Sequence, residues 1–180
     1  MAIEIRAEYA AVLSKAMKRS AAAAINKSIR QASTQAGRKV RRVYNIRARD
    51  LKQYIRYRRA NSNKLVGSVG IQDKRLPLKL FAARDDYPRG VSFIIRRASG
   101  RKRLKHAFFA VVGGRLDVYE RKVVGNKRVK RFPIKKLSTV SPAIMFDKEG
   151  RATIEKYLNE NYKRIFEHEL DYRLSRLTSV

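Results

Sequence analysis

The sequence contains no cysteine, few acidic residues and no long apolar run. Without thiols, a disulfide framework and thiolate metal sites are excluded, and the composition fits a reducing compartment. The first ten residues lack the apolar run of a signal peptide, and no stretch approaches the roughly 18 uncharged residues of a membrane span. We therefore expect no membrane contact.

Motifs of known active sites are also absent from the sequence. Its two histidines, His106 and His168, lie in different predicted elements, and no HExxH, GxSxG or phosphate-cradling GxxxxGK pattern occurs. We predict that the protein is not an enzyme and needs no cofactor, no metal and no small-molecule substrate.

One acidic pair, Asp85-Asp86, in principle offers two carboxylates to a metal ion. The pair lies in a stretch with the composition of a loop, between Arg84 and Arg89. We expect the two carboxylates to balance these arginines rather than to coordinate a metal.

Positive charge is what the sequence has in excess. Lysine and arginine number 44 against 15 acidic residues, which gives a net charge of +29. Residues 147–180 hold seven basic and seven acidic residues, so the whole excess lies in residues 1–146. Residues 38–59 have ten basic residues against Asp50 alone, and residues 96–136 have fifteen against two acidic ones. A body this cationic repels itself, so we expect a polyanionic or acidic partner; the alternative is a solvated surface that keeps the protein soluble.

A long amphipathic helix organises the basic part of the chain. Its apolar residues recur at intervals of three and four, which places them on one stripe at about 100° per residue. The stripe consists of Ile25, Ile29, Ala32, Ala36, Val40 and Val43. The opposite arc carries Lys27, Arg30, Arg38, Arg41 and Arg42. Because the stripe must be buried, the cationic arc has to face water or a polyanion.

The remaining patterns predict an α+β fold. The long helix spans about residues 8–44 and a short second helix about 47–54, and both pack on a basic antiparallel sheet of about residues 55–136. We expect a single domain, with a basic body of residues 1–146 followed by a near-neutral helix of residues 147–180.

Local signals predict the ends of several elements. Ile3 and Ile5 alternate with polar residues and predict a short first strand. Asn61-Ser62-Asn63 predicts a turn between two strands, and Gly113-Gly114 predicts a two-residue hairpin turn. Asp147 is a suitable N-cap for the C-terminal helix.

Cations of the helix arc and of the basic loops are candidates for phosphate contact. Long basic side chains follow phosphates without reading bases, and no helix-turn-helix, RRM or zinc-finger motif is present. Aromatic residues such as Tyr44, Tyr57 and Phe108 lie among them, but we favour core packing over base stacking for these rings. The candidates are Lys27, Arg30, Arg38, Arg41, Arg42, Arg47, Arg49, Arg101, Lys102, Arg103, Lys105, Lys127, Arg128, Lys130 and Arg131.

Six short motifs, in a fixed order, carry a family resemblance. They are residues 43–51 (VYNIRARDL), 76–84 (LPLKLFAAR), 90–93 (GVSF), 106–110 (HAFFA), 132–137 (FPIKKL) and 141–146 (SPAIMF). Over roughly residues 10–175 the sequence resembles the prophage minor tail protein Z family of long-tailed bacteriophages. One departure is Ser138-Thr139, which stands where the family often has a Gly-Pro pair.

The resemblance implies a structural virion protein that completes the tail and helps to join it to the head. Related tail-completion proteins form rings, often sixfold, around the DNA channel. The implied partners are other tail and neck proteins, further copies of the chain and double-stranded DNA bound without sequence preference. The implied location is the head–tail junction of the virion, after synthesis in the host cytoplasm.

Within this interpretation the near-neutral C-terminal helix suits contact with a neighbouring subunit or tail protein. The candidates for that contact are Tyr157, Tyr162, Phe166, Leu170, Leu174 and Leu177. Two alternatives stay open: a free nucleic-acid-binding protein of ribosomal or chromatin-like type, and a tail protein that binds acidic protein neighbours without touching DNA.

Overall fold

The structure is a computed structural model. It describes residues 2–121, 123–124, 127–128 and 133–178, and the side chains of residues 2–13, 123–124, 127–128, 177 and 178 lie outside that description. The helices are α1 (Ala2–Val43), α2 (Ala48–Lys52), α3 (Pro142–Glu149) and α4 (Arg151–Thr178). The strands are β1 (Ile55–Arg58), β2 (Ser68–Ile71), β3 (Arg84–Asp85), β4 (Val91–Phe93), β5 (Lys102–Leu104), β6 (Ala107–Val112), β7 (Arg115–Arg121), β8 (Val123–Val124), β9 (Lys127–Arg128) and β10 (Ile134–Lys136). These elements confirm the predicted α+β class.

The strands form small sheets rather than one continuous sheet. Within the described residues they pair in the orders β1-β2, β3-β4-β5, β10-β7-β6 and β8-β9. Pairing is antiparallel, as predicted, in both three-stranded sheets. Short 3₁₀ turns at Leu78–Leu80 and Arg97–Ser99 interrupt the chain between strands, which keeps each sheet small.

Two compact units divide these elements between them. The helical unit comprises Met1–Ala36, Ile55–Gly70 and Gly150–Val180, and the sheet unit comprises Gly37–Tyr54 and Ile71–Glu149. Helix α1 therefore contributes residues to both units.

In the helical unit, α1 buries a row of small side chains spaced four residues apart. The row consists of Ala16, Ser20, Ala24, Ser28, Ala32 and Ala36, each at most 7% exposed. Side chains four residues apart form a ridge on a helix, and small ones let a neighbouring backbone approach closely. Helix α4 packs here: Ser20 Oγ donates to the carbonyl oxygen of Glu169 at 3.2 Å, and the Tyr157 hydroxyl donates to Gln31 Oε1 at 2.8 Å.

The predicted apolar stripe is only partly right in this unit. Ala32 and Ala36 are fully buried, whereas Ile25 and Ile29 are only half-buried and serines take interior positions. A buried serine on α1 can bond to its own helix, as Ser33 Oγ does to the Ile29 carbonyl at 2.8 Å, or to a neighbour, as Ser20 Oγ does to α4. A search for apolar periodicity misses the row because it counts serine as polar.

Two predicted helix boundaries are wrong. The backbone is helical from Ala2, so Ile3 and Ile5 do not form a strand; the alanine, glutamate and arginine around them are strong helix formers. Asp147 lies inside α3, five residues after its start, and so is not the N-cap residue of that helix. Instead, Ser141 Oγ accepts a hydrogen bond from the Ile144 amide at 3.4 Å, because serine followed by proline is a favoured helix start.

The sheet unit is built around an apolar cluster. Its buried members are Leu78, Val91, Phe93, Ala107 and Val118. Strands β6 and β7 supply two of these residues and form a hairpin in which Val112 pairs with Arg115 across Gly113-Gly114. The φ angles of the two glycines are +58° and +71°, in the region that two-residue hairpin turns need and glycine tolerates. The predicted hairpin turn is confirmed.

Asp117 is a buried carboxylate in this hairpin, with 1% of its surface exposed. Lys136 Nζ contacts one carboxylate oxygen, and Lys79 Nζ lies 3.4 Å from the other. Lys79 also donates to the carbonyl oxygen of Leu116 at 2.6 Å. The carboxylate thus joins β7 to β10 and to the 3₁₀ turn at Leu78–Leu80.

We expect Asp117→Asn to lower the free energy of unfolding by about 2–4 kcal/mol, because two ammonium groups lose their counter-charge. Urea denaturation followed by circular dichroism measures the change. The control is Glu160→Gln, which removes a mostly exposed carboxylate 3.8 Å from Lys156 and should change stability by no more than about 0.5 kcal/mol. Equal midpoints for the two variants would contradict the role assigned to Asp117.

Gly90 precedes β4 with a φ angle of +94°, and a β-carbon there would collide with the carbonyl oxygen of Leu104 on β5. We expect Gly90→Ala to lower the free energy of unfolding by about 3 kcal/mol or more, since backbone strain and a backbone clash act together. Gly113→Ala is the matched control, because φ is also positive there but the space is open. That control should cost only about 1–2 kcal/mol. Similar losses in the two variants would mean that the contact between β4 and β5 has room for a methyl group.

Candidate nucleic-acid interface

A basic groove lies in the helical unit, between α1 and the segment that contains β1. Its volume is about 420 Å³. We call this site the basic groove, and it is lined by Asn26, Lys27, Ile29, Arg30, Gln31, Tyr57, Arg58 and Arg59. It brings together two of the predicted candidates, Lys27 and Arg30.

Asn26 holds β1 and its following residues against α1. Its Nδ2 donates to the Ala60 carbonyl, and its Oδ1 accepts from the Ala60 amide, both at 2.9 Å. Gly67 lets the returning chain approach, because a β-carbon there would lie 2.7 Å from Ile29 Cδ1. Between them, Asn61 Oδ1 accepts from the amides of Asn63 and Lys64 at 3.0 and 2.7 Å, which confirms the predicted turn.

The cations of the basic groove differ in how far they are neutralised. Arg30, Arg58 and Arg59 are exposed and have no acidic partner within the described part of the chain. Lys27 is half-buried, and its Nζ lies 2.9 Å from Glu169 Oε1 on α4. The difference arises because the buried row of α1 turns by about 40° per four residues, which brings Lys27 to the edge of the α4 contact. Three arginines therefore supply most of the uncompensated charge.

The neutral polar groups of the basic groove are largely engaged within the protein. Both ends of the Asn26 amide bond to Ala60, and Gln31 Oε1 accepts from the Tyr157 hydroxyl. Side-chain amides commonly read adenine edges, and arginines commonly read guanine edges. With the Asn26 amide and the Gln31 oxygen engaged, the groove offers mainly charge and an aromatic ring.

A second concave surface in the helical unit lies beside the turn that follows Ala60. Its volume is about 730 Å³, and it is lined by Ser14, Lys15, Lys18, Arg19, Asn61, Ser62 and Asn63. Its three cations are exposed. Basic residues of α1 thus occur on both sides of the point where Asn26 holds Ala60.

In the sheet unit, the C-terminal end of α1 gathers another group of cations. Arg97 Nε donates to the carbonyl oxygen of Arg41 at 2.9 Å. The Arg96 guanidinium lies 5.4 Å from the centre of the Tyr44 ring and donates to its hydroxyl at 3.3 Å. The partial negative charge of a helix C-terminus stabilises cations at this position. Arg38 and Arg42 are exposed on the same end of the helix.

The basic loop of the sheet unit is partly occupied by contacts within the protein. Arg103 pairs with Asp86 at 3.2 Å, and Arg101 donates to the Ala82 carbonyl and to Ser92 Oγ, both at 3.1 Å. A hydrogen bond from Ser92, together with the charges of the two arginines, lowers the pKa of Asp86 below its ordinary value. Asp86 is therefore balanced by a strand arginine distant in sequence, and not, as we expected, by its neighbours in the loop.

Four further predicted cations of the sheet unit are solvent-facing. Arg47 and Arg49 are exposed around the start of α2, where Arg49 lies 3.6 Å from Asp50. Lys102 and Lys105 are exposed in and beside β5. The side chains of Lys127 and Arg128 in β9, and the whole of Lys130 and Arg131, lie outside the described residues.

The predicted protein-contact residues occupy different environments along α4. Tyr157 is half-buried and bonds to α1, whereas Tyr162 is exposed and stacks on Phe166 with the ring centres 6.4 Å apart. Leu170 and Leu174 are half-buried, and the Leu177 side chain lies outside the description. The stacked pair is the part of this set that remains open to a partner.

Sequence reasoning missed Tyr57, Arg58 and Arg59 as site residues. The core packing that we favoured for Tyr57 is wrong, since 38% of its surface is exposed. The run Arg56-Tyr57-Arg58-Arg59 is a signal that could have found them, because an aromatic ring among arginines is common in nucleic-acid sites. For Tyr44, at 2% exposure, the prediction of core packing is right.

The rest of the described chain shows neither a metal site nor a membrane segment. No group of three or more acidic or histidine side chains in that part is placed to hold a metal ion. None of its helices combines the length and the apolar character needed to cross a bilayer.

Comparison with known proteins gives one match. No curated protein and no solved structure matches the chain. The sequence profile of the family described as Prophage minor tail protein Z (GPZ) matches residues 8–179, nearly the whole chain. The chain therefore belongs to the prophage minor tail protein Z family and is a structural protein of the phage tail.

Proposed function

We propose that this minor tail protein is a tail-completion or connector component at the head–tail junction. There it contacts the phosphates of the DNA that passes through the junction. The basic groove is the observation that carries the proposal. Arg30 from α1, Arg58 at the end of β1 and Arg59 after it line the groove together, exposed and without carboxylate partners in the described residues. Arginines in such a position exchange bound counterions for phosphates.

We expect DNA binding by this groove to be independent of base sequence, because few of its side-chain amide groups are free to read bases. The Asn26 amide is engaged with Ala60 and the Gln31 oxygen with Tyr157, so most of the free groups are charges, whose contacts to phosphates carry no sequence information. A protein that holds whatever genome end enters the tail, and lets it move, needs this kind of contact. Tight base recognition would instead fix the DNA at one position.

The proposal includes assembly with other proteins of the tail and neck. Copies of the chain in a ring, with six as the proposed number, present the same groove repeatedly to one duplex, so that weak contacts add. The stacked pair of exposed Tyr162 and half-buried Phe166 on α4 is the proposed contact with a neighbouring tail protein. Its surroundings on α4 are paired charges four residues apart, such as Lys163 and Glu167 at 3.9 Å, which lowers repulsion between subunits.

We expect the triple variant Arg30→Gln, Arg58→Gln, Arg59→Gln to bind duplex DNA more weakly, by about tenfold or more near 0.1 M salt. The slope of log K against log salt should fall in magnitude by about 0.9 for each phosphate that the variant no longer neutralises, so by about 2–3 in total. Fluorescence anisotropy with a labelled duplex of roughly 20 base pairs, titrated at several salt concentrations, measures both quantities.

The matched control removes the same charge from α4 through Lys156→Gln, Lys163→Gln and Arg164→Gln. Two of these cations already face glutamates at 3.8 and 3.9 Å, so we expect the slope to change by less than about 1. Equal losses in the two triple variants would mean that DNA responds only to net charge, and the basic groove would lose its assigned role.

The assembled particle tests the location. In a reconstruction of the virion we expect this chain at the head–tail joint, with Arg30, Arg58 and Arg59 directed toward the DNA channel. Density for the chain at the opposite tail end would contradict the proposal, as would a position at the joint with these arginines against acidic protein side chains. The latter result would support a tail protein that binds acidic neighbours.

A further inference from the structure

Tyr57 gives the basic groove a property that phosphate binding does not require. Its ring lines the groove together with Arg30, Arg58 and Arg59, and 38% of the residue is exposed. Burying this ring against the protein would have been favourable, because aromatic side chains carry a large apolar surface. An exposed aromatic side chain among arginines in a groove is the combination that single-strand-binding proteins use to stack bases.

A duplex cannot make use of the Tyr57 ring in this way. Its bases are stacked on one another and paired, so a surface side chain reaches an aromatic base face only after the base is turned out of the helix, at a cost of a few kcal/mol. An unpaired strand presents its base faces without that cost, and its backbone charges remain available to arginines. Since the Asn26 amide and the Gln31 oxygen are engaged in internal hydrogen bonds, we expect stacking to be the main contact to a base held there.

We propose that the basic groove binds single-stranded DNA, with one unpaired base stacked on Tyr57 and the flanking phosphates held by Arg30, Arg58 and Arg59. This deepens the proposed function, on which it rests, by naming the form of DNA that the groove prefers. Binding has no sequence preference, because every base has an aromatic face. Duplex DNA makes only the phosphate contacts of the same arginines.

The test compares a labelled 15-nucleotide oligo-dT strand with a duplex of the same length by fluorescence anisotropy, at about 0.2 M salt to suppress weak binding at other basic surfaces. We expect Tyr57→Leu to weaken binding of the single strand about 5- to 100-fold and to change duplex binding by less than about twofold. Tyr57→Phe keeps the ring and should restore single-strand binding.

Tyr172→Leu is the matched control. Tyr172 is also an exposed tyrosine of the helical unit, at 51%, with the Arg176 guanidinium 5.5 Å from its ring centre, but it does not line the basic groove. We expect this variant to bind both DNA forms like the unmodified protein. An equal effect of the two leucine substitutions would overturn the proposal, because exposed tyrosines beside arginines would then act alike wherever they lie.

The unmodified protein supplies a second measurement that does not depend on a variant. Irradiation of its complex with oligo-dT containing 5-iodouracil should crosslink Tyr57, as mass spectrometry of the digested complex would reveal. Crosslinks confined to other residues would overturn the proposal.

Failure of the single-strand preference can be told apart from failure of the proposed function. If Tyr57→Leu leaves oligo-dT binding unchanged while the arginine triple variant still binds duplex DNA weakly, stacking is absent and the phosphate contact stands. If the triple variant also binds both forms like the unmodified protein, both proposals fall.

Discussion

Close packing of α4 on α1 is the interaction on which the helical unit depends. A small residue at position 20 makes it possible, because Ser20 is fully buried and a larger side chain there would hold the two backbones apart. The contact is tight enough for Ser20 to donate directly to a backbone carbonyl of α4. Once this face of α1 is covered, its longer side chains are left at the border or in solvent. The basic groove forms there, where Asn26 attaches the segment after β1 to the uncovered side.

The few carboxylates of the chain hold particular cations in place, and their positions show which cations are left uncompensated. Asp117 joins two lysines in the sheet unit, Asp86 binds Arg103, and Glu169 binds Lys27 and lies 4.0 Å from Arg173. In each case at least one partner belongs to a different element, so the ion pair connects elements. Arg30, Arg58 and Arg59 have no such carboxylate in the described residues. Their charge is therefore available to a ligand, whereas some of the 44 basic residues are used in ion pairs within the fold.

Sequence patterns predict what is local and miss what depends on contacts between distant residues. The α+β class, the Gly113-Gly114 turn and the basic arc of α1 follow from short-range periodicity and turn chemistry. The start of α3 at Ser141-Pro142 is also encoded locally. The prediction chose Asp147 as the N-cap instead, because aspartate is also a favoured residue at that position. The basic groove is predicted only in part. Lys27 and Arg30 are among the predicted residues. Tyr57, Arg58 and Arg59 reach the groove because Asn26 pairs with Ala60, 34 residues away. Hydrophobic periodicity in the sequence does not reveal a contact between residues so far apart.

The open aromatic ring bears on the choice between a nucleic acid and an acidic protein as the partner of this groove. Both partners supply anionic groups to three arginines, so charge alone does not separate them. An acidic protein partner could also bury Tyr57, because tyrosine and arginine are both common at protein–protein interfaces. A nucleic acid instead carries a flat aromatic group next to every phosphate, so it can engage the tyrosine and the arginines together. The two partners therefore differ in the contact that Tyr57 makes, which is why substitution of its ring separates them where removal of charge does not.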